Sequence, residues 1–359
     1  MRICYLADGE SIHTKRWCTH FRDLGHDIHL ISFKNVNIDG VNVHFVDAGK
    51  IKVSGGNWQV VFKVLYIKKL LKEISPDILH AQYATSYGFA GALTNFHPFV
   101  VTTLGTDVLI SPKTSFAYKI VLKHVFKKAE WITVMADHMK DIILELKASP
   151  DKLTTIIFGI DPNIFNHSKR KLPNDHFVIT STRNFEPVYN IPLLIKGFKY
   201  LENKIPGIQL NLIGDGSLRG DLEKMVMELG LSKLVSFHGR LPQWRIVEIL
   251  NQSHIFATTS LSDGNNISLN EAMACGAISI ATDIPANRAW IKEGVNGFII
   301  PTDNPKYLAE KIIEIFQNYD QYERSAIPYN DKIIEDKAHW SKNMEKVEKK
   351  YNDLIALDY

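Results

Sequence analysis

The stretch Ile255-Phe256-Ala257-Thr258-Thr259-Ser260-Leu261-Ser262-Asp263-Gly264-Asn265-Asn266-Ile267-Ser268-Leu269-Asn270-Glu271-Ala272-Met273-Ala274-Cys275-Gly276 reads in three parts. Ile255–Thr259 is a short apolar, β-branched run and predicts a buried strand. A polar loop with one glycine and two asparagines follows, and Ser268–Cys275 predicts a helix closed by Gly276. Strand, loop and helix in this order make half of a βαβ unit.

The same rhythm runs outward in both directions. Upstream lie strand Phe177–Ser181, helix Pro192–Leu201, strand Ile208–Ile213, helix Leu218–Leu229, strand Leu234–His238 and helix Arg245–Asn251. Downstream come strand Ala277–Thr282, a turn at Asn296-Gly297, strand Phe298–Ile300, helix Pro305–Asn318 and a last helical stretch, Lys342–Ile355. The first half repeats the pattern. Its strands are Ile3–Ala7, Ile28–Phe33, Val43–Val46, Ile78–Ala81, Phe99–Leu104 and Trp131–Met135, with helices at Thr14–Leu24, Lys63–Ile74 and Phe116–Lys128. Near-continuous apolar strands alternating with helices predict parallel sheets covered on both faces. Residues 159–176 lack periodicity and carry two prolines, and so read as a linker. The expected organisation is two doubly wound domains, 1–165 and 166–340, followed by a C-terminal helix, 341–359, that crosses back to the first. The cleft between the domains is the expected site.

Composition narrows the class. The 359 residues are 45% hydrophobic and 23% charged, which excludes a disordered, collagenous or coiled-coil chain. Three cysteines, Cys4, Cys18 and Cys275, exclude a disulfide scaffold and point to a reducing compartment. They form no CxxC, and no metal-ligand cluster is read. The net charge of +3 does not argue for nucleic acid. The positive excess sits in residues 1–165, with 19 Lys and Arg against 15 Asp and Glu, while the rest carries 23 against 24. No apolar run is long enough to span a bilayer, and no secretory signal is read, so a cytoplasmic location is expected.

In the 255–276 stretch, free N–H groups at a helix start form an anion site, aided by the helix dipole. Asp263 and Glu271, eight residues apart, suit hydroxyl groups rather than phosphate. The set therefore reads as amides for a diphosphate and carboxylates for a sugar and a ribose. Ser268-x-x-Glu271 reads equally as a capping box that only finishes the helix.

Asp263 and Glu271 with the following Ala272-Met273-Ala274-Cys275-Gly276 resemble the E-x7-E signature of retaining glycosyltransferases of family 4, with Asp263 in place of the first Glu. That family has the GT-B fold, and the two-domain rhythm extends the resemblance over most of the chain. The resemblance implies that Glu271 holds the ribose and that Asp263 contacts the donor sugar near the reacting centre. It also implies that the amides of Asn265, Asn266 and Ile267, with Ser268 beside them, touch sugar and phosphate. Arg183 occupies the family's phosphate-clamping position, but Tyr189-Asn190 stand near the usual Lys. Gly214 and Gly216 resemble a donor-side glycine loop, and Arg240 and Leu241 follow an F-x-G-like segment that contacts the base. Tight turns explain these last two segments equally well.

In the first half, Gly9 follows the first strand where family members approach the donor phosphates, and Thr14, Lys15, Arg16 and Trp17 begin a helix expected to line the cleft. Thr103-Leu104-Gly105-Thr106-Asp107 resembles the family's T-x-H-G-x-D stretch with Leu104 replacing the His. Asp107 is a candidate catalytic or acceptor contact, and capping of the next segment is its alternative. His80 reads as a packed strand-end histidine in preference to a catalytic base. The basic amphipathic segment Phe116–Lys128, with Lys68, Lys69 and Lys72 nearby, suits either a solvated helix face or an anionic membrane surface.

The resemblance thus implies a retaining transferase of the hexosyl type, independent of metal and without a resident cofactor. Its donor would be a nucleotide-diphosphate sugar, a UDP-sugar foremost. Its acceptor would be a glycan or lipid-linked sugar in surface polysaccharide or glycolipid assembly, which would place the chain at the inner face of a membrane. Three other readings stay open: a nucleotide-sugar-hydrolysing epimerase, a non-catalytic GT-B subunit of a heteromeric transferase, and, least favoured, an NAD-dependent oxidoreductase. The last lacks a G-x-G-x-x-G after the first strand.

Overall fold

A computed structural model describes residues 1–47 and 60–357. The chain divides into two compact units, residues 1–157 with 342–359, and residues 158–341.

The first unit is built on seven strands. In chain order its elements are β1 (Arg2–Leu6), α1 (Ile12–Asp23), β2 (Asp27–Ser32), β3 (Asn42–Phe45), α2 (Val60–Ile74), β4 (Ile78–Gln82), α3 (Phe89–Thr94), β5 (Phe99–Thr103), α4 (Thr106–Leu109), α5 (Ser111–Thr114), α6 (Phe116–Lys128), β6 (Trp131–Val134), α7 (His138–Glu145) and β7 (Leu153–Thr155). The sheet order is β3-β2-β1-β4-β5-β6-β7, all parallel. β4 and β5 are buried along their whole length, including the polar His80, Gln82, Thr102 and Thr103.

The second unit carries β8 (Phe177–Ser181), α8 (Ile191–Lys199), β9 (Ile208–Ile213), α9 (Arg219–Glu228), β10 (Val235–Gly239), α10 (Gln243–Asn251), β11 (Ile255–Thr258), α11 (Ile267–Ala274), β12 (Ile278–Thr282), α12 (Pro285–Arg288), β13 (Gly297–Ile300), α13 (Pro305–Gln317) and α14 (Tyr319–Lys337). Its parallel sheet runs β10-β9-β8-β11-β12-β13. The apolar sides of these strands and of α8 and α13 meet in one core around Ile179, Leu194, Leu210, Ile280, Phe298 and Ile312.

A last helix, α15 (Trp340–Ile355), belongs to the first unit from Lys342 onward. There it buries Met344, Val347, Tyr351 and Leu354. The Tyr351 ring meets those of Phe21 and Trp131, and its hydroxyl hydrogen-bonds His80 Nδ1.

Sequence reasoning missed β7, α3, α4, α5, α7, α12 and α14. The 19-residue α14 holds Pro328 in its interior, a residue that ordinarily ends a helix because it lacks an N–H and crowds the preceding turn. Burial of Ala326, Asn330, Ile333 and Ile334 sustains the helix across it. Among the described residues no helix is long and apolar enough to cross a membrane.

Candidate functional site

In each sheet the chain starts at an inner strand, winds to one side, then returns to the other. The crevice between the two directions, at the carboxyl ends of the strands, is where such sheets bind ligands. In the second unit it lies between β8 and β11. Arg183 stands two residues after β8, and the loop with Asp263, Asn265 and Asn266 leads from β11 into α11.

The structure joins these residues. Arg183 Nη2 donates to Asp263 Oδ2 at 2.6 Å, and Nη1 donates to Asn266 Oδ1 at 2.9 Å. One face of the guanidinium lies over the Tyr189 ring, 4.2 Å from its centre. Tyr189 is fastened in turn, its carbonyl accepting from Thr259 Oγ1 at 3.0 Å, while Asn190 Nδ2 donates to Thr302 O at 3.0 Å. Near the position where a lysine was expected, the Tyr189 ring supports the Arg183 guanidinium.

The cap of α11 corrects the sequence reading. Asn266, not Ser268, is the N-cap, its side chain accepting from Leu269 N at 3.2 Å. The helix therefore begins at Ile267. Ser268 falls in its first turn, where its Oγ donates to Thr182 O at 3.3 Å and ties α11 to the end of β8. Ser268 is thus not the cap that the Ser268-x-x-Glu271 pattern suggested. Glu271 lies half-buried one turn further on, and Ile267 N–H donates to Asn265 O at 3.0 Å.

Below the loop lies a buried polar network that sequence reading did not find. Asn266 Nδ2 donates to Thr258 Oγ1 at 3.1 Å and to Asn287 Oδ1 at 3.0 Å. Trp290 Nε1 donates to Asn265 Oδ1 at 2.8 Å, and Asn265 Nδ2 to Asn270 Oδ1 at 3.3 Å. No sequence signal pointed to this network, since Asn270 sits in a helix that also carries Ser268 and Glu271. The buried atoms Ser181 Oγ, Thr182 Oγ1, Arg183 Nε and Asn270 Nδ2 have no hydrogen-bond partner among the described residues. Such open capacity is uncommon in a native core.

The glycines act by close approach. Gly214 has φ of 144°, and a Cβ there would lie 2.3 Å from Arg183 O. A Cβ on Gly216 would lie 2.6 Å from Phe185 O. Their N–H groups are engaged by Gly239 O and Asp215 Oδ1, both at 2.9 Å. These residues therefore press the 214–218 loop against the segment holding Arg183. Arg240 is exposed and Leu241 half-buried, just beyond β10.

The first-unit candidates belong to the other compact unit, and the structure gives three of them a packing or tying role. Asp107 is fully buried, and its carboxylate accepts from the backbone N–H groups of Ala84 (2.8 Å), Leu104 (3.1 Å) and Gly105 (2.9 Å). It ties two loops together, which fits its alternative reading as a cap of the next segment. Gly9 donates its N–H to Ser32 Oγ at 2.9 Å, and a Cβ there would meet Val36 Cγ2 at 2.4 Å, so packing accounts for the glycine. Trp17 is buried against the Tyr5 and His80 rings and does not line a surface. His80 is buried, hydrogen-bonded to Thr102 Oγ1 at 2.7 Å, with burial pushing its pKa down to about 3. Tyr83, at the end of β4 beside the β1–β4 crevice, holds φ of 81°, a strained value for a bulky residue that no sequence signal foretold.

On α6 the apolar residues Tyr118, Val121, Leu122, Val125 and Phe126 face the core. Phe116 and Ile120 remain exposed, as do Lys119, Lys123 and Lys127. Among the described residues no group of three or more His, Cys, Asp or Glu side chains is placed to hold a metal ion.

The family described as Glycosyl transferases group 1 matches residues 163–332, and that described as Glycosyl transferase 4-like matches residues 2–136. The chain belongs to the group 1 glycosyltransferases. An uncharacterised glycosyltransferase of Methanocaldococcus jannaschii is 24% identical over 96% of this chain and 95% of its own. The UDP-Gal:alpha-D-GlcNAc-diphosphoundecaprenol alpha-1,3-galactosyltransferase of Escherichia coli is 25% identical over 66% of this chain and 65% of its own. Among solved structures, sucrose-phosphate synthase of Thermosynechococcus elongatus superposes with a TM-score of 0.84 at 16% identity, over 99% of this chain and 100% of that one. Anabaena HepE in complex with UDP superposes at 0.78 and 16% identity, over 99% and 100%. This glycosyltransferase therefore has the two-sheet architecture of GT-B enzymes.

Proposed function

We propose that this glycosyltransferase transfers a sugar from a nucleotide-diphosphate sugar, a UDP-sugar foremost, to a glycan or lipid-linked acceptor, with retention at the anomeric carbon. The observation that carries the reading is the Arg183–Asp263–Asn266 cluster at the β8–β11 crevice. The E. coli relative's name gives it a UDP-sugar donor and a diphosphoundecaprenol-linked acceptor, which supports the same classes here. Breaking the donor bond leaves negative charge on the diphosphate. Arg183 and the start of α11 would stabilise that charge electrostatically, commonly a large catalytic contribution. Glu271 would hold the ribose and Asp263 the donor sugar. The amides of Asn265 and Asn266, with Ser268, would line the phosphate path. Tyr189, Asn190, Gly214 and Gly216 would shape the pocket, with Arg240 and Leu241 toward the base. With the charge met by Arg183, transfer is expected to proceed without a dissociable metal. The exposed face of α6 would meet an anionic lipid surface that presents the acceptor.

The test is thermal unfolding with UDP-, GDP- and ADP-sugars, with and without EDTA. Binding to the native state raises the melting temperature by mass action. One nucleotide class is expected to stabilise the chain, unaffected by EDTA, and transfer from it is expected to vanish in Glu271→Ala. No stabilisation by any sugar nucleotide overturns the donor reading.

A further inference from the structure

Arg183 and Asp263 have separate partners in the function proposed above, yet they are bonded to each other. The guanidinium is held on three sides. Tyr189 covers a face at 4.2 Å, Asn266 takes Nη1 at 2.9 Å and Asp263 takes Nη2 at 2.6 Å, while Nε is buried without a partner. The two side chains are only 9% and 15% exposed, so solvent screens the pair weakly. A carboxylate on a guanidinium edge offers, like a phosphate, an anion with oxygen acceptors.

We propose that Asp263 is a placeholder for the donor's diphosphate. In the free protein its carboxylate satisfies Arg183. An arriving nucleoside diphosphate takes Nη2, and the displaced carboxylate turns toward the donor sugar. Tyr189 and Asn266 keep the guanidinium in place during the exchange, because neither contact competes with an anion. Occupancy by the diphosphate and readiness of Asp263 are thereby coupled: the carboxylate is exposed to the sugar only when the leaving group is seated. The inference rests on the nucleotide-sugar reading.

The exchange has a consequence of unusual sign. A residue that only binds substrate weakens binding when removed. A competing anion strengthens it. Asp263→Asn keeps the shape and one oxygen acceptor but removes the charge. By calorimetric titration of the full chain with UDP, Asp263→Asn is expected to bind about fivefold more tightly than the unaltered protein, or better still, the effect of losing one partly buried competing charge. Arg183→Lys is expected to bind more weakly. Unchanged or weaker UDP binding in Asp263→Asn overturns the placeholder. If that variant does not fold, nitrogen NMR of the unaltered chain decides. The Arg183 guanidinium resonances are expected to shift on adding UDP, and their constancy in a UDP-bound protein overturns the exchange. Failure of the unaltered protein to bind UDP, GDP or ADP would instead overturn the donor reading itself, and this inference with it.

Discussion

Asn266 shows how much one side chain carries in this site. It caps α11, holds Arg183 Nη1, and reaches Thr258 and Asn287 beneath the loop. Replacing a cap costs about 1 kcal/mol, and orphaning buried partners adds 1–3 kcal/mol. Asn266→Ala is therefore expected to lower stability by about 3 kcal/mol in urea unfolding followed by tryptophan fluorescence. A loss below about 0.5 kcal/mol, typical of a surface change, would show that the network bears little load. The site chemistry was legible at this scale where residue type alone implies it: a strand-end arginine and two carboxylates eight residues apart. The pairing of Arg183 with Asp263 was not, because the partners are 80 residues apart in sequence. Asp107 makes the converse point. Its motif suggests chemistry, but three backbone donors occupy its carboxylate.

Elements formed where local pattern and burial agreed. The strands were readable because β-branched apolar runs have few alternatives to a buried parallel sheet. Helix starts were less so. Ser268 and Asn266 are both good caps, and only packing against Thr258 and Asn287 selects Asn266. The α6 helix poses a functional question at this scale. Its inward face is fully used, leaving Phe116 and Ile120 exposed beside Lys119, Lys123 and Lys127. Exposed apolar groups within a basic face favour an anionic lipid surface. The protein is expected to sediment with phosphatidylglycerol vesicles and not with phosphatidylcholine vesicles. Phe116→Ser with Ile120→Ser should weaken that binding about tenfold. Absence of binding to the anionic vesicles would leave α6 as a solvated helix.

Across the molecule, each unit buries a histidine with a depressed pKa. His80 is pushed down to about 3 by burial. His254 is pushed down to about 4 by burial and by the nearby Arg170, its Nδ1 accepting from Val178 N at 3.1 Å. In the unfolded chain both titrate near about 6.5. The unfolded state therefore binds more protons between those values. The stability these neutral histidines contribute is complete above about pH 6.5 and is lost as the pH falls toward 4. Each adds a slope of up to about 1.4 kcal/mol per pH unit in that window. His254→Asn is expected to flatten the acid dependence of second-unit unfolding, measured from pH 7 to 4.5. An identical slope in the variant would contradict the assignment.

By itself the sequence determined the class of architecture and the family. Strand and helix periods, their alternation, and the spacing of Asp263 and Glu271 are local properties that the chain displays without folding. It also carried the chemical inventory of the second-unit site. The tertiary structure alone decided which candidates meet. Asp107, Gly9 and Trp17 became packing and loop ties, and Tyr189 became a support for Arg183. Asn287 and Trp290 joined the site from positions that carry no motif, and Asn270 from within the motif at a position given no role. The physical reason is that a side chain's role depends on what remains unsatisfied around it after burial. That is settled by contacts between residues remote in sequence, such as Arg183 and Asp263 at the joint of β8 and β11.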